Sequence, residues 1–303
     1  MTRSFVGRAP RPAADPPVGC SPAVAECRPG GWPRPRGPAL QLVALALLFT
    51  AMPASAALKV LVTVVEQKTG RPVTDLKAED FALWEDKLLR KVEAAEYSAK
   101  PIDVMLVVDT SLVGGMVQDV AMSMIGQLAE KEQMALVSYD SSAELLQDFT
   151  DSKQALGAAL SKVKLGNSPR VLDGLFAAME GGFQHATFRR VILLVTSGVE
   201  HGGRLQEKEV VRFARKNGVS IYPVVATGNG RALFENLARQ TGGASFNLRD
   251  IQKSGEKSPA AQIFSVMRSH YVLTVTGNLG LSEKLRVEIK RPEKVQASVL
   301  ALE

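Results

Sequence analysis

Residues 105–115 read Met-Leu-Val-Val-Asp-Thr-Ser-Leu-Val-Gly-Gly. An apolar run stops on Asp109, and a loop carrying two hydroxyls, Thr110 and Ser111, follows it. Open parallel sheets bind ligands in the crevice beyond the carboxyl ends of their strands, so an acid and hydroxyls at a strand end mark a candidate metal or phosphate site. Val113 stands where such a loop would offer one more oxygen, and its side chain has none.

Outward from this stretch, strand and helix patterns alternate from about Pro101 to Arg268. Strands are expected at Val104–Asp109, Met134–Tyr139, Glu144–Phe149, Arg190–Thr196 and Val219–Val225. Helices are expected at Gly115–Glu130, from Asp151 to about Val163, and at Leu172–Phe183, Gln206–Lys216 and Arg231–Gln240. Asp151 and Gln154 have capping-box spacing, and Asn217-Gly218 and Thr241-Gly242-Gly243 are stop signals. Fully apolar strands alternating with helices predict an α/β fold, a doubly wound and mostly parallel sheet covered on both faces. Three segments end strands on the ligand-binding edge: Asp109-Thr110-Ser111, Asp140-Ser141-Ser142 and Thr196-Ser197-Gly198.

The ends of the chain have a different rhythm. Lys59–Val65, Asp80–Lys87 and Lys91–Tyr97 read as strands, as do the alternations Tyr271/Leu273/Val275 and Leu285/Val287/Ile289 around a Gly277-Asn278 turn. The flanks 57–100 and 269–303 therefore predict a β-rich accessory domain made from both termini. Two separate strand pairs packed on the central domain, 101–268, are the alternative.

The first 56 residues read as a secretory signal with a long basic leader. Residues 1–36 hold six arginines and no lysine, Ala39–Phe49 is apolar, and Ala54-Ser55-Ala56 fits a cleavage site. The apolar core is short for a membrane span, which needs about 20 residues. An uncleaved anchor is the second reading. Removing the leader's six basic and two acidic residues from 37 and 31 leaves 31 and 29, a net charge of +2 against +6 for the whole chain. Bulk charge thus gives no support for nucleic-acid binding. Both cysteines, Cys20 and Cys27, lie in the leader, which leaves the exported part without disulfides, thiolate catalysis or cysteine metal sites.

VVDTSLVGG, VSYDSSAELLQDFT, RVILLVTSGVE and VSIYPVVA, in this order and spacing, resemble the von Willebrand factor A domain. The flanks LVTVVEQKTGRPVTDLKAEDFALWEDK and RSHYVLTVTG resemble bacterial exported "VWFA-related" proteins, in which this domain sits between β-rich ends. The resemblance implies a Rossmann-like fold, periplasmic or secreted location and binding of a protein partner. It also implies a metal-ion-dependent adhesion site: Asp-x-Ser-x-Ser after the first strand, a threonine from a later loop, and an aspartate after the fourth strand.

Carried over residue by residue, that pattern is incomplete. Asp109 and Ser111 match, the next serine is Val113, the threonine position falls on Pro169 with Ser168 one residue off, and the late aspartate is Ser197. Magnesium takes about six hard oxygens and gives up its water reluctantly, so this set reads as a vestigial metal site and no cofactor is expected. Asp173 and Glu200 are the neighbouring carboxylates that could rescue it. As simpler roles, Asp173 suits the first turn of a helix, facing its dipole, and Glu200 a solvated loop charge. Asp109 and Ser111 would then hold loop amides without an ion. The expected partner-binding face comprises Asp109, Thr110, Ser111, Val113, Ser168, Asp173, Ser197 and Glu200.

Enzymatic readings fare less well. A phosphatase using Asp109 as nucleophile needs a second aspartate two residues on, where Ser111 stands, and a late acidic pair that YPVVATGNG lacks. Gly114-Gly115 lacks dinucleotide-loop spacing. His185, His201 and His270 are scattered, which leaves His201 as the sole sequence candidate for a triad. Met116, Met122 and Met124 read as core, and Arg189-Arg190 and Arg212/Arg215/Lys216 as solvated basic points. The expectation is a non-catalytic protein-binding or scaffold module, with a magnesium-dependent adhesin and an Asp109-dependent hydrolase as alternatives.

Overall fold

The computed structural model describes residues 58–67, 69–111, 117–226, 231–253, 258–276 and 285–301. The leader with its cleavage site, Val113, Met116 and the Gly277-Asn278 turn lie outside the described residues.

In chain order the elements are β1 (Leu58–Glu66), β2 (Phe81–Glu85), β3 (Leu88–Arg90), β4 (Val92–Ala99), β5 (Ile102–Asp109), α1 (Val117–Ile125), β6 (Gln133–Tyr139), β7 (Ala143–Thr150), α2 (Lys153–Leu160), α3 (Val171–Gly181), β8 (Arg189–Thr196), α4 (Glu207–Lys216), β9 (Ser220–Val225), α5 (Arg231–Gln240), β10 (Phe246–Asn247), α6 (Leu248–Lys253), α7 (Pro259–Arg268), β11 (Ser269–Val275), β12 (Leu285–Ile289) and β13 (Val295–Ala301). Among the described residues no helix is long and apolar enough to cross a membrane.

The central sheet has the order β10-β9-β8-β5-β6-β7, parallel except where β7 runs antiparallel to β6. β5 lies in the interior and every residue of it is buried, because helices cover both faces. Alternate residues feed two cores: Val104, Leu106 and Val108 join α1 and α7, while Met105 and Val107 join α3 and α4. Ser152, not Asp151, caps α2, its Oγ accepting the Ala155 amide at 3.2 Å. α1 stops earlier than the pattern suggested, at Ile125. Of the helix methionines, Met124 is core, whereas Met122 is 44% exposed, because the two point to different sides of α1.

Strands from both ends of the chain form an accessory β-sandwich. An antiparallel sheet, β13-β1-β11-β4, faces a three-stranded one, β12-β2-β3. Val60, Val62 and Val64 of β1 meet Tyr271, Leu273, Phe81, Leu83 and Val299 between the sheets. The other face of β1 is buried too, because it packs on the α/β unit. Thr63 Oγ1 donates to the Gly242 carbonyl at 2.8 Å and lies 3.2 Å from the Tyr222 hydroxyl, and Ser298 Oγ donates to the Gly243 carbonyl at 2.5 Å. Gly242 permits this approach: a Cβ there would sit 2.6 Å from the Cβ of Leu300 in β13. Arg189, expected at a solvated face, is instead tucked into this seam. It donates to the Met267 carbonyl and to the Tyr222 hydroxyl, the latter at 3.3 Å, and stacks 5.9 Å from the Tyr222 ring. The surface reading fails there because β9 and α7 bring acceptors that sequence distance hides. His270 is buried in the same region, and burial with the nearby Arg189 charge brings its pKa down to about 4.

Candidate functional site

β5, β6 and β8 are adjacent and parallel, so their carboxyl ends and the loops that follow lie side by side. β5 delivers Asp109, which is fully buried. Its Oδ1 accepts the Ser111 amide at 3.0 Å, and its Oδ2 accepts both the Ser197 amide at 3.1 Å and the Ser197 hydroxyl at 2.5 Å. Ser197, where the pattern expected an acid, is therefore a double donor to the first acid. Ser111 Oγ is buried without a hydrogen-bond partner among the described residues. Thr110 is buried too; its amide and hydroxyl both donate to the Tyr139 carbonyl, at 2.9 and 3.1 Å.

Beneath this layer the Tyr139 hydroxyl donates to Thr196 Oγ1 at 3.1 Å, and the Gly198 amide donates to the same oxygen. Burial, and then the Asp109 charge, push the Tyr139 phenol well above its usual pKa, so it remains a donor. Gly174 lets α3 close on this ring, since a Cβ there would come 2.9 Å from the Tyr139 Cβ.

Asp140 organises the loop that precedes α3. Its Oδ1 accepts the Ser142 amide at 2.8 Å, its Oδ2 accepts the Asn167 amide at 3.0 Å, and its carbonyl accepts the Arg170 amide at 2.7 Å. Burial pushes this carboxyl up, but the amides and serine hydroxyls outweigh it and hold it below the usual range. The Gly166 amide donates to the Thr110 carbonyl at 2.7 Å, which ties the same loop to β5. The Asp-Ser-Ser triplet after β6 was a readable strand-end signal, although Asp140 was not among the expected site residues.

Glu200 is not the solvated loop charge expected, whereas Asp173 stands in the first turn of α3 as the sequence suggested. Glu200 Oε2 accepts the Val171 amide at 2.6 Å, capping α3 from a loop 29 residues away in sequence. Asp173 reciprocates from the first turn of α3, accepting the amides of Arg204 at 3.0 Å and Leu205 at 3.0 Å. The His201 amide donates to the Pro169 carbonyl at 2.9 Å. Burial raises the Glu200 pKa against the opposing pull of the Val171 and Leu172 amides. Sequence alone could not find this cross-brace, because its two halves meet only once the sheet has formed. The His201 side chain is exposed beyond it, as are His185 and Ser168, while Pro169 is buried.

The edge thus brings Asp109, Thr110, Ser111 and Ser197 into one buried layer, with Asp173, Glu200 and Pro169 in a second layer above. Among the described residues no group of three or more His, Cys, Asp or Glu side chains is placed to hold a metal.

A family model of the von Willebrand factor type A domain matches residues 103–258, which include β5 and all three strand-end segments. Among solved structures, the conserved hypothetical protein BatB from Bacteroides thetaiotaomicron is similar at 11% identity and a TM-score of 0.46, over 55% of this chain and 100% of that one. An aerotolerance-related membrane protein from Bacteroides fragilis is similar at 13% identity and a TM-score of 0.41, over 51% of this chain and 95% of that one. Proximal thread matrix protein 1 from the mussel byssus, in a form with a zinc-occupied MIDAS motif, is similar at 17% identity and a TM-score of 0.49, over 61% of this chain and 50% of that one. No curated protein matches the chain. With its α/β sheet, its flanking strands and the matched span, the chain belongs to the von Willebrand factor type A domain family.

Proposed function

We propose that this is an exported, non-catalytic protein-binding module in which an internal hydrogen-bonded latch stands in place of the family's metal-ion site. The observation that carries the reading is the Asp109–Ser197 pair: both oxygens of Asp109 are taken by donors, one of them the hydroxyl at the expected acid position. Magnesium requires about six hard oxygens in octahedral geometry. Here Asp109 is the only carboxylate of the inner layer, Asp173 and Glu200 are turned to backbone amides, and Pro169 has no side-chain oxygen. Among the described residues Ser111 Oγ and Glu200 Oε1 are buried without partners, but one hydroxyl and the second oxygen of a carboxylate that caps α3 do not make the set. The residues present do not fit the ion.

Binding is assigned to the carboxyl edge. Within the face Asp109, Thr110, Ser111, Val113, Ser168, Asp173, Ser197 and Glu200, the buried Asp109, Thr110, Ser111 and Ser197 serve as framework. Exposed Ser168 and the loop at 201–204 supply contact. A hydrolase using Asp109 is disfavoured by the same geometry, since a fully buried carboxylate holding three hydrogen bonds is not presented for attack. Export rests on the leader sequence alone.

Thermal unfolding with magnesium tests the reading. A ligand that binds only the folded state at about 100 times its Kd adds about 2.7 kcal/mol of stability. The proposal expects no rise in Tm from magnesium or manganese over EDTA. A rise that disappears in Asp109→Ala would support the metal-dependent adhesin instead.

A further inference from the structure

A cavity of about 420 Å³ opens where the accessory sandwich meets the α/β unit, beside β10 and away from Asp109. Gln67, Thr69 and Gly70 of the turn after β1, with Gln296 of β13, form one wall. α5 and the β10–α6 segment form the other. The turn is fixed in place. Gly70, at φ +67°, donates its amide to the Glu66 carbonyl at 2.8 Å, and Gln262 of α7 donates Nε2 to the Thr69 carbonyl. A Cβ at Gly70 would stand 3.0 Å from that Nε2, so glycine permits the close approach. Two carboxamides here are only half used. Asn247, in the lining, accepts the Arg249 amide at 3.0 Å through Oδ1, while its Nδ2 is buried without a partner among the described residues. Gln262, 6% exposed and beside Gly70, has its Oε1 in the same condition. Buried polar atoms are nearly always paired, and leaving one unpaired costs stability.

We propose that this cavity binds a neutral saccharide. The inference is independent of the protein-binding reading above. Gln67, Thr69, Gly70 and Gln296 lie outside the 103–258 span that the family model matches, so the flanks build one wall of the site. Gln67, Asn247 and Gln296 each carry a donor and an acceptor on one planar group. Sugar hydroxyls also donate and accept, and Val225, Phe246 and Ile251 offer their ring C–H groups an apolar floor. Phosphate only accepts, and it would meet the Glu235 and Asp250 carboxylates. An apolar ligand would leave the polar walls unpaired. Arg239 in the lining, and exposed Arg249 and Lys253 on α6, are the cations an anion could use instead, which the test must separate. The volume falls within the range of small-molecule pockets, which favour the junctions between structural units.

The test titrates the full chain with neutral disaccharides (maltose, cellobiose, lactose and diacetylchitobiose) and reads binding by ligand-observed NMR. Saturable binding of at least one is expected, insensitive to added salt because the ligand carries no charge to screen. Asn247→Ala should weaken it by at least about tenfold, since a buried donor is lost. Gln296→Ala, at a half-buried place on β13, should weaken it about threefold, and it carries the test if Asn247→Ala does not fold. Lys87→Ala, exposed on the turn between β2 and β3, should leave it unchanged. Circular dichroism confirms that each variant is folded. No binding of any sugar up to about 10 mM overturns the proposal. Affinity unchanged in the folded Asn247 and Gln296 variants puts the ligand elsewhere and also overturns it. Tighter binding of inorganic phosphate or of triglycine than of every neutral sugar overturns the saccharide class.

Discussion

Two carboxylates buried at opposite edges of the central sheet, Glu132 and Asp109, are satisfied differently; a third, Asp103 at the amino end of β5, accepts the Thr187 and Phe188 amides and so resembles Asp109. At the amino edge Glu132, 1% exposed, takes Nε and Nη2 of Arg268 at 2.8 and 2.6 Å and also accepts the Ala129 amide at 3.0 Å. At the carboxyl edge Asp109, fully buried, takes two amides and one hydroxyl and, among the described residues, no cation. Arg268 also donates to the Gln127 carbonyl at 2.8 Å and stacks 5.1 Å from the Phe264 ring, so the amino edge is braced across α1, β6 and α7. A buried anion opposite a guanidinium is a structural clamp whose loss leaves a naked charge. A buried anion held by neutral donors loses less when one donor goes. On the proposed reading, the carboxyl edge keeps Asp109 and Ser111 of the family pattern and holds Asp109 by protein hydrogen bonds in place of a cation.

Removing one partner at each edge would break or sharpen this contrast. Arg268→Met should produce the largest effect, about 3 kcal/mol in chemical denaturation, because Glu132 stays buried without its counter-charge. A loss comparable to that of a surface pair would mean that the amino edge is no clamp. Ser197→Ala should cost about 1.5 kcal/mol in the same measurement, since Asp109 keeps its two amide donors and loses only the hydroxyl. If Ser197→Ala equalled or exceeded Arg268→Met, Asp109 would depend on that hydroxyl far more than three shared donors imply.

Glu200 should show the smallest effect, and one that varies with pH. Glu200→Ala removes the cap of α3 and should cost about 1 kcal/mol, whereas Glu200→Gln keeps an acceptor for the Val171 amide and should cost less. Burial raises the folded pKa of Glu200 above its unfolded value, so the folded state binds the extra proton. Its contribution is then most favourable below the unfolded value of about 4.5 and declines as pH rises through the folded pKa. Stability of the native chain relative to Glu200→Gln should therefore fall between pH 4.5 and neutrality. A relative rise across that window would contradict the assigned burial.

Much of the fold was legible because its strands are either fully apolar, as in Val104–Val108, or strictly alternating, as in Tyr271/Leu273/Val275. β13 was not, since Gln296, Ala297 and Ser298 lack a strong pattern; Ser298 is buried only because its hydroxyl meets the Gly243 carbonyl across the seam. The helix α7 escaped notice for a related reason: its residues are buried nearly all round, Gln262 included, which removes the amphipathic signature. At the site, residue types showed which oxygens the family pattern had lost. They could not show where the remaining carboxylates turned. Asp140, Asp173 and Glu200 all satisfy amides 27 to 32 residues distant, through contacts that the folded sheet alone creates.

The central claim is that the hydroxyl of Ser197, and not an ion, completes the environment of Asp109. Titration calorimetry of the chain with magnesium and with manganese measures this most directly. The account predicts no saturable heat for the native chain or for Asp109→Ala. Saturable micromolar binding by the native chain that vanishes in Asp109→Ala would contradict it.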